Sequence, residues 1–413
     1  MQASAEREYA RGHRGAAPRF PRLGNREGLF FQALETPLRE DGAAGGRVRM
    51  DTTCAKIPLR WIGPIRLAGP EFEDEVRVPL ATLETPLWPS VARGARVTAG
   101  AGGIRVAVVD ERMARSILLE APDAATAAAV AAELRGRSGE IAEIIAGTSR
   151  VARFAGWHDQ VIGPLLFLRL EIITGDAAGH NMATKAAEAV EAWARAQYPE
   201  LAHVSVSGNY CCDKKVSAVN GILGRGRFVV AETRVPGEAC RKELRVEPET
   251  LARLHVRKNL IGSIVAGSVR SANAHFANVL LAFYLATGQD AANVVEGSQG
   301  IVHAEALDGA LYFSCTLPNL VVGTTGVGKD LPWVEENLKR LGCREDRPLG
   351  ANARRLAIIA AAAVLCGELS LLAALANEGE LMRAHLRMER RTGRKAARAA
   401  SAGAPAGSSK RRR

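Results

Sequence analysis

The chain has 413 residues, 47% of them hydrophobic and 24% charged, which excludes a disordered or fibrous protein and leaves apolar material for two or three domains. Its net charge of +11 is concentrated at one end, because residues 387–413 carry ten basic residues against one acid and leave about +2 for the rest. Seven cysteines without a CxxC pair argue against a disulfide framework and a zinc site. No run reaches the roughly 18 uninterrupted apolar residues that cross a bilayer, and the N-terminus has no apolar signal core, so a soluble cytoplasmic protein is expected.

In chain order, residues 1–50 are rich in Arg, Gly and Pro and read as an arm with one short helix at 26–38. Strands are expected at 57–62, 76–80, 104–109 and 116–119, followed by an Ala-rich helix at 123–134. Further β-like runs lie near Ile141 and at 161–173, and this order points to a small α+β unit. Asp176 then reads as the cap of a helix whose apolar face is Met182, Ala186, Ala189, Val190 and Trp193, ending before Pro199. The spacing predicts one continuous helix over 259–287, about 43 Å long, ending at Gly288. Ser271, His275 and Asn278 would form a polar stripe on it, either satisfying one another in the core or lining a site. Strands at 310–314 and 320–322 and helices at 333–341 and 352–377 complete the body. The tail from residue 391 reads as disordered.

Several segments carry chemistry. Gly323 to Lys329 fits GxxxxGK after a β-like run. However, Asp330 stands where a magnesium-binding hydroxyl is required, and Pro332 delays the helix. Triphosphate hydrolysis is therefore rejected, while approach to another phosphate or a dinucleotide stays open. Asp213, Lys214 and Lys215 lie between buried-looking flanks; they are a solvated turn, or charges that must pair or act, and a lysine beside a carbonyl stabilises an oxyanion. Glu84 lies among apolar residues between Pro79 and Pro86, as either a capping carboxylate or a general acid. Alone, Asp290 reads as an N-cap and His385 as a surface histidine. The segment 176–181 opens a helix after a strand, and free N–H groups there suit a pyrophosphate. It lacks GxGxxG, so a Rossmann domain is not expected. Ser149-Arg150 is a 2′-phosphate site or a surface pair.

Taken in order, these segments resemble the catalytic domain of the 3-hydroxy-3-methylglutaryl-coenzyme A (HMG-CoA) reductase family over about residues 51–390. The resemblance rests on Ile57-Pro58 with Ala68-Gly69-Pro70, Glu84 with Ser90 and Arg93, and the 175–182, 206–215 and 257–263 segments. It continues through Asn273 to Asn278, 287–292, 323–326 and Gly367 to Ser370. The 207–215 loop looks like the class I branch. The implied fold is α+β: a large domain built around the 259–287 helix, with a small ferredoxin-like NADPH-binding domain inserted at 117–205. The large domain would comprise 51–116 and 206–390, between the arm (1–50) and the tail (391–413).

The resemblance also assigns roles. Lys214 would stabilise the oxyanion, Glu84 would donate protons, Asp290 would hydrogen-bond to both, and His385 would protonate the departing coenzyme A thiolate. Ser207, Asp213, Lys215 and Lys258 would hold the substrate carboxylate, with His275 and Asn278 lining the same pocket. Ser90, Arg93 and Arg115 match positions near coenzyme A. Asp176, Gly179, Asn181, Gly323, Thr325, Gly326 and Gly328 match dinucleotide contacts, and Ser149 and Arg150 the 2′-phosphate site. NADPH is the implied cofactor, with no metal. HMG-CoA is the implied substrate, mevalonate formation for isoprenoid biosynthesis the implied role, and a homodimer or homotetramer with active sites between subunits the implied assembly. No membrane or nucleic-acid partner is expected.

Departures are the Thr85-Pro86 flank of Glu84, Ala92, and Ala178 and His180 in place of methionines. Arg391 stands where animal enzymes carry a regulatory serine. Two rivals follow: a catalytically silent homologue that binds coenzyme A esters, and a polyanion-binding role for the basic tail.

Overall fold

A computed structural model describes residues 55–383 and Leu386. The expected helix at 26–38, the segment 51–54, His385 and the tail lie outside the described residues.

Strands β1 (Leu59–Ala68) and β2 (Glu73–Ala81) form an antiparallel hairpin in which Val76, Val78 and Leu80 face inward. Helix α1 (Leu87–Gly100) follows and buries Leu87, Trp88, Val91 and Ala95. The 16-residue strand β3 (Arg105–Glu120) then joins the two cores of the molecule. Its first half pairs with β7 (Gly226–Pro236) and its second with β5 (Leu165–Ile173). The seven-stranded sheet runs β4 (Arg153–Ile162), β5, β3, β7, β9 (Ala310–Leu320), β8 (Ile301–Leu307), and β6 (Ala202–Val206) also pairs with β3. Its ladders are antiparallel throughout.

Around β4, β5, β6 and the second half of β3 pack α2 (Ala124–Arg135), α3 (Ser138–Thr148) and α4 (His180–Gln197). They close a separate cluster that includes Ile117, Val130, Ile145, Leu168, Ala186 and Val190. The larger core surrounds α12 (Ala351–Ala376), in which every residue from 356 to 370 is buried. A helix apolar on all sides must be covered all round. By length and composition α12 could cross a bilayer, but 94% of that stretch is buried inside the protein. It crosses α1 so closely that a Cβ at Gly94 would lie 2.0 Å from the Cys366 carbonyl oxygen. Smaller helices connect these layers: α5 (Ala218–Leu223), α6 (Gly237–Ala239), α7 (Pro248–Leu254), α8 (Gly262–Val265), α9 (Phe276–Ala286), α10 (Val294–Gly297) and α11 (Pro332–Arg340).

The first two strands, the helix at 123–134 and the last two helices fall where the periodicity puts them, whereas the strands expected at 104–109 and 116–119 are parts of the single strand β3. Four further expectations are corrected. The 259–287 helix is broken: a π-helical turn (His255–Ile261) and α8 end at Gly267, whose φ of 68° and N–H to the Ile264 carbonyl stop the helix, and α9 starts afresh at Phe276. The long central helix is α12 instead. The stretch near Ile141 is helix α3, with Ile141 and Ile145 buried four residues apart. The run 161–173 is strand as expected but is not one strand: it takes in the end of β4, a turn at 163–164 and all of β5, while the rest of β4 had no clear sequence signal because most of its residues are only half buried. Finally, 310–320 is one strand, paired with β8 across an Asp308-Gly309 turn in which both residues have positive φ.

Candidate active site

The site residues fall into three groups. In the first, the loop after β6 carries Ser207 to Lys215. Asn209, Cys212 and Lys214 all have positive φ, an unfavourable conformation for residues with a Cβ. Lys214 Nζ lies 2.7 Å from Asp290 Oδ2. Asp290 begins a short 3₁₀ turn, and its other oxygen accepts the Ala292 N–H at 3.0 Å. The hydrogen bond to Asp290 raises the Lys214 pKa despite partial burial. Burial pushes Asp290 upward, but the bonds from Lys214 and Ala292 outweigh it and leave the carboxyl below its usual range. Both side chains are about half exposed, so the pair is open to a ligand.

Around that pair, Asp213 lies 3.7 Å from Arg115, 3.1 Å from Arg225 and 3.6 Å from His180. Lys215 is exposed and donates to the Asp213 carbonyl. Ser207 Oγ contacts Cys211 Sγ at 3.2 Å. Asp213 thus anchors its own loop through cations.

The second group surrounds Glu84. The apolar setting expected for this carboxylate is absent: Glu84 is exposed, and its Oε2 accepts from Asn278 Nδ2 at 2.9 Å. Asn278 is in the first turn of α9, and His275 is its N-cap. The buried Glu368 carboxylate on α12 accepts the Ala274 and His275 N–H groups and His275 Nδ1 at 2.7 Å. It thereby caps α9 and orients the imidazole in one stroke. Ser271, His275 and Asn278 do not form the expected helical stripe, since only Asn278 lies within a helix. On α1, Ser90 bonds to Ser370 of α12 at 3.0 Å, and Arg93 reaches Ser370 and Glu380. Lys258 is half buried and lies 3.4 Å from Asn259 Oδ1.

The expected bond from Asp290 to Glu84 is not made. Among the described residues, no hydrogen bond or ion pair joins Glu84 to Lys214 or Asp290.

The third group is a pair of loops. Asp176 does not cap α4, whose N-cap is Gly179. Its carboxylate accepts the Gly350 and Ala353 N–H groups at the start of α12, and its carbonyl accepts from Thr324 and Thr325. The loop 323–328 therefore lies against residues 176–178, with Ala177 bridged to Thr325. A Cβ at Gly323 would lie 2.3 Å from the Ala178 nitrogen, so only glycine fits. Gly326, with φ 108°, faces open space, and Gly328 also has positive φ. Asn181 and Arg150 are exposed, while Ser149 Oγ accepts from Val151 and Ala152, which ties down the turn beside Gly175. Open backbone at Gly326 beside the α4 N-terminus fits a dinucleotide. Lys329 is not available to a phosphate. It is buried and donates to the Gly288 carbonyl, and burial with Arg344 nearby pushes its pKa down to about 8.

Sequence reasoning missed Arg225, Asn293 and Glu296, and noted Glu368 only as part of a motif. A glutamate inside an apolar helix was the available signal for Glu368. The other three become visible only when the loops are folded together.

Known proteins share this arrangement of elements. A model of the family described as hydroxymethylglutaryl-coenzyme A reductase matches residues 41–390. The 3-hydroxy-3-methylglutaryl-coenzyme A reductase of Aeropyrum pernix is 41% identical over 343 residues, covering 83% of this chain and 81% of its own. That of Pyrococcus abyssi is 42% identical over 333 residues, covering 80% and 81%. Among solved structures, an NADPH-bound class II reductase from Streptococcus pneumoniae has the same fold, with a TM-score of 0.64 at 19% identity over 79% of this chain and 86% of that one.

Proposed function

The chain belongs to the hydroxymethylglutaryl-coenzyme A reductase family, and from that premise we propose that it reduces HMG-CoA to mevalonate and coenzyme A in isoprenoid biosynthesis, using NADPH. The single observation that carries this reading is the Lys214–Asp290 pair, a cation held charged and half open beside two loops suited to a dinucleotide.

Reducing a thioester to an alcohol takes two additions of hydride, which bound NADPH would supply, and a hemithioacetal and an aldehyde lie between them. Each addition places negative charge on the substrate oxygen. Lys214 meets that charge, and Asp290 keeps the ammonium protonated while it does so. Glu84 supplies the proton, with Asn278 fixing the orientation of its carboxyl. His385 protonates the departing thiolate. Lys215, Lys258 and Ser207 hold the substrate carboxylate, with His275 beside them, while Asp213 sets the loop. Ser90, Arg93 and Arg115 serve coenzyme A. Residues 176–181 and 323–328 hold the dinucleotide, and the exposed Arg150 with Ser149 selects the 2′-phosphate.

The gap between Glu84 and Lys214 supports a site shared between two copies, in which Glu84 of one chain faces Lys214 of the other. Exposed Ile261, Ile264 and Val265 on the broken helical segment supply apolar surface for such a homodimer, or for a tetramer built from it. The unit 117–205 is read as the ferredoxin-like cofactor domain. Its strand order β4-β5-β3-β6, with helices between β3 and β4 and between β5 and β6, supports that reading. A class I, cytoplasmic enzyme completes the proposal.

The test is HMG-CoA-dependent oxidation of NADPH by purified protein, followed by absorbance beside a Lys214→Ala control and an NADH series. Turnover lost in the variant, and faster with NADPH, supports the proposal. No oxidation from a folded oligomer overturns it and leaves the silent ester-binding homologue.

A further inference from the structure

Beneath the Lys214–Asp290 pair lies a set of buried and half-buried polar side chains, none of which the proposed reaction uses as a reacting group. Arg225 Nη1 lies 2.7 Å from Glu296 Oε1, and Asn293 Nδ2 donates to the same oxygen at 2.6 Å. The other hydrogen of that amide points to His180 Nε2 at 3.3 Å. His180 Nε2 in turn lies 3.6 Å from Asp213 Oδ1, which Arg225 approaches at 3.1 Å. Arg225, Asn293 and Glu296 are fully buried.

Both ends of this set are tied to the pair above it. Asp213 directly precedes Lys214 in the strained loop. The Asn293 N–H donates to the Asp290 carbonyl at 3.1 Å, which closes the turn that aims the Asp290 carboxylate. We infer that Arg225, Glu296, Asn293 and His180 form a brace that holds Lys214 and Asp290 in register, with His180 as its positioning residue. The inference rests on the proposed reductase function, because register matters only if that pair acts on a substrate.

The chemistry of the amide fixes the state His180 needs. An NH₂ group can only donate, and Glu296 holds it in place, so Nε2 must carry a lone pair and the proton sits on Nδ1. A proton on Nε2 would break the bond to Asn293 and draw the ring toward Asp213. The groups facing the ring are Asp213 and Lys214 from the loop after β6, Arg225 just before β7, and Asp290 and Glu296 from the segment after α9. Burial, then Arg225, holds the imidazole pKa down to about 4, so the neutral form persists through the physiological range.

The brace is under-satisfied: Arg225 Nη2, Asn293 Oδ1 and Glu296 Oε2 are buried without hydrogen-bond partners, and Asp213 Oδ1 has ion-pair contacts but no hydrogen bond. Such a network detracts from stability and is a feature of functional sites. A metal is not the explanation. His180, Asp213 and Glu296 do present ligand atoms within 4.8 Å of one another. The guanidinium of Arg225 already contacts both carboxylates, and an added cation would have to displace it.

The experiment compares His180→Leu and His180→Gln in the full-length enzyme. Gln keeps a side-chain acceptor for Asn293, and Leu does not. The expected result is a kcat about tenfold or more lower in the Leu variant, with both KM values within about twofold, and recovery of most of the loss in Gln. Unchanged kcat in Leu, equal loss in both variants, or an effect confined to the KM for NADPH overturns the brace. If His180→Leu does not fold, Asn293→Ala removes the same bond from the other side and is read the same way.

A readout independent of turnover is the acetylation rate of Lys214 by acetic anhydride, followed by peptide mass spectrometry. Faster labelling in the Leu variant than in wild type supports the brace, and equal rates contradict it. Absence of turnover in wild type would sink the functional reading while leaving this labelling result decisive for the brace.

Discussion

The Lys214 side and the Glu84 side of the candidate site are built in opposite ways. Lys214 sits on irregular backbone with three non-glycine residues at positive φ, and ion pairs hold it in place. Glu84 lies just before α1 and is held through Asn278 by a neutral amide at the start of α9, whose first N–H groups are capped by Glu368 of α12. One side is positioned by charge at some cost in strain, the other by regular packing. The difference teaches that neither side is a complete acid–cation site. The cation has its counter-ion, the acid has its orienting amide, and the two are not joined within the described chain.

The largest effects should come from removing the reacting groups. Lys214→Ala is expected to lower kcat by about 10²–10³-fold, the loss that follows removal of a preorganised oxyanion donor. Glu84→Gln should cost about 10²-fold or more, the range for a positioned general acid. Steady-state assays on folded variants measure both, and a loss under tenfold in either would remove that residue from the chemistry.

Charge and packing separate more sharply in the next test. Asp290→Asn replaces the charged carboxylate that raises the Lys214 pKa with a neutral, weaker acceptor, so the lysine should lose its proton at lower pH. The alkaline limb of the kcat/KM profile is therefore expected to move downward. Asn278→Ala leaves Lys214 untouched and should lower kcat by about tenfold without moving that limb. A limb that shifts in Asn278→Ala, or stays fixed in Asp290→Asn, would break the distinction between the two sides.

The smallest effect on chemistry belongs to the scaffold. Gly94→Ala would force α1 away from the Cys366 carbonyl and destabilise the fold by about 1–3 kcal/mol, with kcat falling only as far as Ser90 and Arg93 shift. Thermal unfolding beside kcat checks this, and an unchanged midpoint would contradict the close crossing.

Legibility in the sequence differs from region to region for physical reasons. Regular periodicity marked β1, β2, α2, α11 and α12, and the order of motifs along the chain marked Lys214, Asp290 and Glu84. The 259–287 segment misled because Gly, Ala and Ser suit both a close-packed helix and its termination. Gly267 at positive φ decided for termination, and the buried Glu368 restarted the chain as α9. The isoleucines at 141, 144 and 145 looked like strand because β-branched residues favour strands, and tertiary packing overrode that preference. Glu84 looked buried because its sequence neighbours are apolar, but it lies in the exposed turn between β2 and α1, where Leu83 is exposed as well. Arg225, Asn293 and Glu296 carried no local signal, since their partners are remote in sequence.

The most direct test of a site divided between copies is subunit mixing. Glu84→Gln and Lys214→Ala homodimers, each close to inactive, are dissociated, mixed in equal amounts and reassociated. If each site takes Glu84 from one chain and Lys214 from the other, half of the dimers become mixed and each regains one intact site. Activity should then recover to about a quarter of wild type. No recovery after verified subunit exchange would mean that Glu84 and Lys214 of the same chain serve the same site, which contradicts a divided site.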